Sequence, residues 1–152
     1  RPLGVQDSAD LFAIYGDPGV MRFVGEPPFP ELATVSQMLA SVERLLAVGE
    51  SLEWGLVLRE SGHLIGTCGL HSFVADPVQA GLPQAEVGCM LARSHWGQGL
   101  MFEALSAVTG YAGELGIRTL LADIEPDNLP SQRLFRRLDF VWQQGTLYRL
   151  ER

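Results

Sequence analysis

The 152-residue chain is 47% hydrophobic and carries a formal charge of −7; these are the proportions of one globular domain, and the acidic balance excludes broad binding to nucleic acid. All 11 basic residues are arginine, which removes every motif that needs a lysine. Apolar runs break well short of the ~18 residues that cross a bilayer, and no basic stretch followed by an apolar one opens the chain, so a soluble, cytoplasmic protein is expected.

The chain is read as a single domain over residues 1–152; because it opens on Arg1 without a methionine, a start upstream and a clipped first strand are allowed for. In "DSADLFAIYGDP", Asp7 or Ser8 serves as an N-cap, Leu11, Phe12 and Tyr15 recur at helical spacing, and Asp17-Pro18-Gly19 is a stop. A helical turn or loop and a proline cluster follow. "LATVSQMLASVERLLAVGE" then places Leu32, Val35, Met38, Leu39, Val42, Leu45 and Leu46 on one side of a second helix closed by Gly49.

The period then shortens to two. "LEWGLVLRE" and "HLIGTCGLHSF" read as strands joined by a tight turn at "SGH", and "QAEVGCMLA" reads as a third after the connection "DPVQAGLPQ". Gly66 and Gly88 inside these strands point to bulges or close backbone approach. The next helix carries an apolar stripe from Leu100 to Leu115 and ends at Gly116. "RTLLADIEP" is a strand, "DNLPSQRLFRRLDF" a short helix with Pro130 in its first turn, and "FVWQQGTLYRLE" a closing hairpin. The order ααβββαβαββ predicts a mixed sheet flanked by helices.

Cys68 and Cys89 sit in apolar strand-like runs without metal-ligand spacing, and His63, His71 and His95 are scattered, so no metal is expected. The stretch "SHWGQGLMFEAL" is different: two glycines one residue apart open a helix. A phosphate-binding loop of the kind that needs Lys is excluded, and a dinucleotide fingerprint is weakened by Phe102 where a third glycine belongs. A Gly-x-Gly turn whose helix N-terminus holds a pyrophosphate stays open, beside a turn that merely starts a helix.

Taken with "RPL", "DPGVMRFVG", "LIGTCGL", "AEVGCML" and "NLPSQRLFRRLDF", in that order along almost the whole chain, the stretch resembles the GNAT superfamily of N-acetyltransferases, in its RimJ/RimL-like branch. Asn128, the only asparagine, falls where that family has one. The resemblance implies an α/β (α+β) fold, with a mostly antiparallel central sheet, a splayed strand pair and about four helices. It also implies acetyl-CoA as cosubstrate, a primary amine as acceptor, either a protein N-terminus or a small molecule, and homodimers as a common assembly.

By the same resemblance, the CoA pyrophosphate lies on the amides of His95, Trp96, Gly97, Gln98 and Gly99, flanked by Ser94 and Leu100. Its pantetheine arm runs along the strand Glu86 to Leu91, held at Cys89, Met90 and Leu91, where an N–H from the region of Cys89 or Met90 meets the oxyanion. Asn128 holds the arm and Arg137 serves a phosphate. Glu86 is the expected base, and Ser131 bonds or protonates the departing sulfur. Tyr15, Phe23 and His71 are expected at the acceptor. Each has a plainer alternative: Asn128 and Ser131 as helix-start residues, Glu86 as a solvated carboxylate, His71 and Tyr15 as packed side chains. Two positions depart from the family. Ser94 stands where Arg or Gln is frequent, and Phe135 stands where many relatives carry a tyrosine thought to protonate the thiolate. The second departure keeps open a non-catalytic acyl-CoA-binding module on the same fold.

Overall fold

A computed structural model describes residues 1–75 and 83–152. Most of the Pro/Gly-rich connection "DPVQAGLPQ", residues 76–82, lies outside the described residues.

After a 3-10 turn at Val5–Asp7, helix α1 spans Ser8–Tyr15 and buries Leu11 and Ile14. Asp7 precedes it but does not cap it, because its carboxylate is taken by the Arg1 guanidinium and by the Gly4 N–H. The stop at Asp17 starts a further short helix, α2 (Pro18–Met21): Asp17 accepts from the Gly19 N–H at 2.7 Å and Pro18 supplies the pre-set first position. Helix α3 (Leu32–Ala47) packs Val35, Met38 and Leu39 against α1. The apolar side expected of it is narrower in fact, since Leu32 and Leu46 are exposed.

Six strands, β1 (Ser51–Val57), β2 (Leu64–Ala75), β3 (Pro83–Leu91), β4 (Thr119–Asp123), β5 (Val141–Gln144) and β6 (Leu147–Glu151), form one sheet in the order β1-β2-β3-β4-β6-β5. Every pairing is antiparallel except β3 with β4. Helix α4 (Leu100–Glu114) is the crossover between those two, as a parallel pair requires, and α5 (Leu129–Arg137) precedes the final hairpin. All ten elements read from the sequence are present; α2 and two 3-10 turns are added to them.

Strand alternation divides the side chains between two cores. Trp54, Cys68, Leu70, Ala85, Val87 and Cys89 join the cluster built on α4 and on Phe135 of α5. Residues of the other parity, among them Glu53, Thr67, His71, Gly88 and Met90, fall on the opposite face, toward α1 and α3; Met90 packs into the Leu11–Val35 cluster. Gly66 and Gly88 are sites of close approach: a Cβ on Gly66 would overlap the Met90 carbonyl oxygen, and one on Gly88 would lie 3.2 Å from His71 Nε2. One irregularity of the sheet falls beside Gly66, where Leu56 pairs with Gly66 but Val57 pairs with Leu64; others lie between His71 and Val74, where Ser72 has φ +53°, and between Trp142 and Gln144.

Candidate active site

The parallel pairing of β3 and β4 is short. It runs through Gln84↔Thr119, Ala85↔Leu120 and Glu86↔Leu121 and stops, while β3 continues paired to β2 as far as Leu91↔Gly66. From Val87 onward one edge of β3 has therefore parted from its neighbour. Which amides line that edge follows from the two-residue repeat. The Ala92 N–H donates to the Ile65 carbonyl at 2.8 Å, so the amides of Met90 and Gly88 also face β2, and those of Cys89 and Leu91 face the open side. Of the two residues expected to supply an oxyanion donor, Cys89 has its N–H there and Met90 does not.

The open edge leads into the glycine loop. A 3-10 turn at Arg93–His95 is followed by Gly97 and Gly99 at φ +73° and +80°, the left-handed region that glycine enters freely; no neighbour crowds a Cβ at either position. These glycines are set by backbone conformation alone. The His95 and Trp96 amides donate to the Ala92 and Arg93 carbonyls within the turn. Among the described residues no side chain caps α4, so its first amides, beginning at Leu100, point outward with the helix dipole. Side chains brace the loop: the Trp96 indole donates to the Leu91 carbonyl at 2.7 Å, Gln98 donates to the Ser94 carbonyl at 3.2 Å, and Ser94 Oγ meets His95 Nδ1 at 2.9 Å. From below, Arg93 is tied to Asp17, joining the loop to the start of α2.

Helix α5 packs Phe135 into the cluster built on α4. Asn128 accepts from the Ser131 N–H at 3.2 Å, so the capping alternative holds for its Oδ1, and its amide NH₂ is left over. Ser131 is half-buried in the first turn. At the far end of α5 the Arg137 guanidinium lies 4.4 Å from the Phe102 ring, which brings a cation to the first turn of α4. Phe135 is buried edge-on against Phe140, with 5.0 Å between ring centroids.

On the α1/α3 face, His71 stands cross-strand from Ser51 on one side and from the exposed Glu86 on the other. Ser51 Oγ lies 2.7 Å from His71 Nδ1, and Glu53 Oε2 lies 3.1 Å from His71 Nε2. Tyr15 is fixed nearby by a 2.8 Å bond to Thr67 and by stacking on Phe29; burial and the Glu53 charge push its phenol up. Phe23 lies apart, under the Arg22 guanidinium, and among the described residues no hydrogen bond or ring contact joins it to Tyr15 or His71. Among the described residues no group of His, Cys, Asp and Glu is arranged to hold a metal ion, and no helix is long and apolar enough to cross a membrane.

Residues 1–141 match the profile of the Acetyltransferase (GNAT) domain. The chain belongs to the GNAT acetyltransferase family. It is 28% identical over 141 residues to an uncharacterized N-acetyltransferase, p20, of Bacillus licheniformis, covering 92% of this chain and 76% of that one. Among solved structures it is similar to Mycobacterium smegmatis RimJ in complex with CoA-disulfide, with TM-score 0.83, 16% identity, and 99% and 80% of the two chains covered. It is also similar to spermidine N-acetyltransferase from Vibrio cholerae in complex with CoA and spermine, with TM-score 0.78, 15% identity, and 98% and 90% covered.

The GNAT fold accounts for the parted strands. The groups around the opening suit a CoA thioester on physical grounds: outward amides at a helix N-terminus and an arginine beside them for phosphates, and an unpaired strand edge for an amide-bearing arm. Ser51 and Glu53 are the partners of His71 that the sequence alone did not single out. Their signal was present in "SLEWGLV", where Ser51 and Glu53 alternate with Leu52 and Trp54.

Proposed function

We propose that this chain transfers an acetyl group from acetyl-CoA to a primary amine by direct attack within a ternary complex. The observation that carries the reading is the parting of β3 from β4 just past Glu86, with the freed edge running into an uncapped helix N-terminus. In this reading the pyrophosphate sits on the amides that begin α4, with Gly97 and Gly99 shaping the turn and Ser94, His95, Trp96 and Gln98 bracing it; a dipole-favoured anion there is worth about 0.3–1 kcal/mol at an exposed site. Arg137 adds a phosphate contact. The pantetheine arm pairs with the strand edge at Cys89 and Leu91, and the Asn128 NH₂ meets one of its carbonyls.

The acceptor arrives on the opposite face. Its lone pair attacks the thioester carbonyl, the Cys89 N–H receives the developing oxyanion, and Ser131 stands for the sulfur. Glu86, exposed beside the opening, attracts the incoming ammonium. An α-amine titrates near 7.7–8.0, so roughly a tenth is neutral at pH 7, whereas a lysine near 10.4 is almost wholly charged; α-amines and similarly weak bases are therefore the easier acceptors. Tyr15, Phe23 and His71 are the side chains proposed to shape the acceptor pocket.

One observation favours a second reading, a module that binds acyl-CoA without chemistry: the buried Phe135 has no hydroxyl to offer a leaving thiolate. Purified protein, acetyl-CoA, short peptides with free α-amines, spermidine and a thiol-release readout separate the two. Acetyl transfer predicts thiol release that Glu86→Gln slows. A rise in melting temperature with CoA but no thiol release from any acceptor gives the module, and no response to CoA at all removes both.

A further inference from the structure

The face proposed for the acceptor holds a connected set of side chains that no catalytic role above uses. Ser51 is 5% exposed and the Glu53 side chain 9%, yet both are polar and both reach the same imidazole, Ser51 at Nδ1 and Glu53 at Nε2. The backbone is cut to fit them. Glu53 lies over Gly69, where a Cβ would overlap its Oε2, and the His71 ring lies against Gly88, whose Cβ would stand 3.2 Å from Nε2. Gly88 is two residues beyond the last β3–β4 pair, so the ring is held at the mouth of the opening. A cavity of about 370 Å³ lined by Leu45, Glu50, Ser51, His71, Ser72 and Phe73 gives access to the hydroxyl and the ring from outside.

The partners decide the tautomer. An ionised carboxylate only accepts, so Nε2 carries the proton toward Glu53, and Nδ1 accepts from the Ser51 hydroxyl. The basic atom of the neutral ring is then Nδ1, and the way to it is through Ser51. Other groups facing the ring are Glu86 from β3, Glu50 ahead of β1, and the Tyr15 phenol from α1 by way of Glu53; α3 contributes the apolar Leu45.

We propose that Ser51, His71 and Glu53 form the proton relay of the transfer reaction, with His71 as the base that receives the acceptor's proton, Ser51 as its conduit and Glu53 as the positioning residue. This rests on the acetyl-transfer reading and assigns to His71 the proton that Glu86 attracts. The ammonium N–H bond breaks toward Ser51 Oγ, directly or through one water, while the Ser51 proton moves to Nδ1. The serine is restored, an imidazolium lies against Glu53, and the neutral amine has its lone pair. The C–N bond then forms and the C–S bond breaks. The second proton shed by nitrogen is the one the thiolate takes, and His71 returns the first to water through the exposed part of its ring. Imidazole is the side chain whose basicity suits an amine at neutral pH, and general-base help of this kind contributes about 10²–10⁴-fold.

The test follows kcat/KM from pH 5.5 to 9.5 in the thiol-release assay for the wild type, His71→Gln, Ser51→Ala and Glu53→Gln, using a short peptide with a free α-amine. For His71→Gln the expected loss is about 100-fold at pH 6.5, shrinking above pH 8, where the peptide amine is already neutral. Ser51→Ala should show a smaller loss with the same pH trend. Glu53→Gln should lower kcat less than His71→Gln does and leave the KM for acetyl-CoA unchanged, because an amide can also donate to Nε2 and no longer fixes the ring's tautomer. Acetyl-CoA binding within threefold of wild type certifies each fold, and Ser51→Ala carries the test if His71→Gln does not fold. A deficit equal at all pH values, or activity within threefold at pH 6.5, overturns the relay while leaving acetyl transfer standing. A wild type silent with every acceptor overturns acetyl transfer, and the relay with it.

Discussion

Cys68 on β2 and Cys89 on β3 stand directly opposite one another, both free and both on the side of the sheet that packs against α4. Burial pushes each thiol up to about 12, with the Glu53 charge adding to the effect at both. A free cysteine titrates near 8.5 and reacts as its thiolate, so at neutral pH neither is a nucleophile. We expect the native protein at pH 7.5 to resist iodoacetamide for as long as it stays folded, with both thiols alkylated promptly in denaturant. Initial-rate plots against acetyl-CoA at several amine concentrations should intersect, as a ternary complex requires; parallel lines would mean an acetylated enzyme intermediate and would overturn direct attack.

Gly99 differs from the glycines of the sheet in what it asks of a substitution. Its φ of +80° leaves open space around a Cβ, so Gly99→Ala meets no clash and only the left-handed penalty, roughly 1–2 kcal/mol. The chain can relieve that strain by rotating the Gly99 peptide, which turns the amides at the head of α4. The expected result is a modest fall in melting temperature together with a several-fold weaker calorimetric affinity for CoA. Normal CoA affinity in Gly99→Ala would mean that the loop shapes the helix start without touching phosphate.

Much of this was legible along the chain because the signals are local. Gly-x-Gly before an apolar stripe marks the loop and α4, and the change of period from 3.6 to 2 after Gly49 marks the sheet. The parted strands entered only through family resemblance, since β3 and β4 are joined by a helix and no local pattern says where their pairing stops. What escaped were relationships across strands. Glu53 and His71 are 18 positions apart and meet only because β1 pairs with β2 in the register Glu53↔Gly69, Ser51↔His71. Asp7 illustrates a different failure: its spacing predicts a cap, but a guanidinium outcompetes the helix for the carboxylate.

Phe135 bears on the family's usual route for protonating the thiolate. The ring is 4% exposed and held edge-on by Phe140. Adding a hydroxyl in Phe135→Tyr puts a polar group into the buried cluster that also holds Phe140, where lack of a partner costs about 1–3 kcal/mol. We therefore expect Phe135→Tyr to melt lower than wild type without a gain in kcat. A variant that is both stable and faster would show that position 135 reaches the sulfur, and would move the acid role away from Ser131.

Acid should weaken the fold where paired carboxylates take up protons, chiefly at Asp7. The hydrogen bonds from Arg1 hold the Asp7 carboxyl below the usual carboxylate range against the opposing effect of burial, and the hydrogen bonds from Arg93 do the same for Asp17. Both are lower in the folded chain than in the unfolded one, so the unfolded state binds more protons in the interval between. Their contribution is complete above the unfolded value near 3.9 and is lost as pH falls through the lowered folded values. Chemical denaturation at pH 6 and at pH 3 should show this loss. Asp7→Asn should cost about 1.5 kcal/mol at pH 6, the low end for a hydrogen bond to a charged group because Arg1 is 41% exposed, and its deficit should shrink at pH 3, where wild-type Asp7 is itself losing charge. Arg93→Gln, at an exposed pair, should leave stability nearly unchanged while loosening the junction between α2 and the glycine loop, read as weaker CoA binding at pH 7. A deficit of equal size at both pH values in Asp7→Asn would assign that residue's contribution to packing and not to its charge.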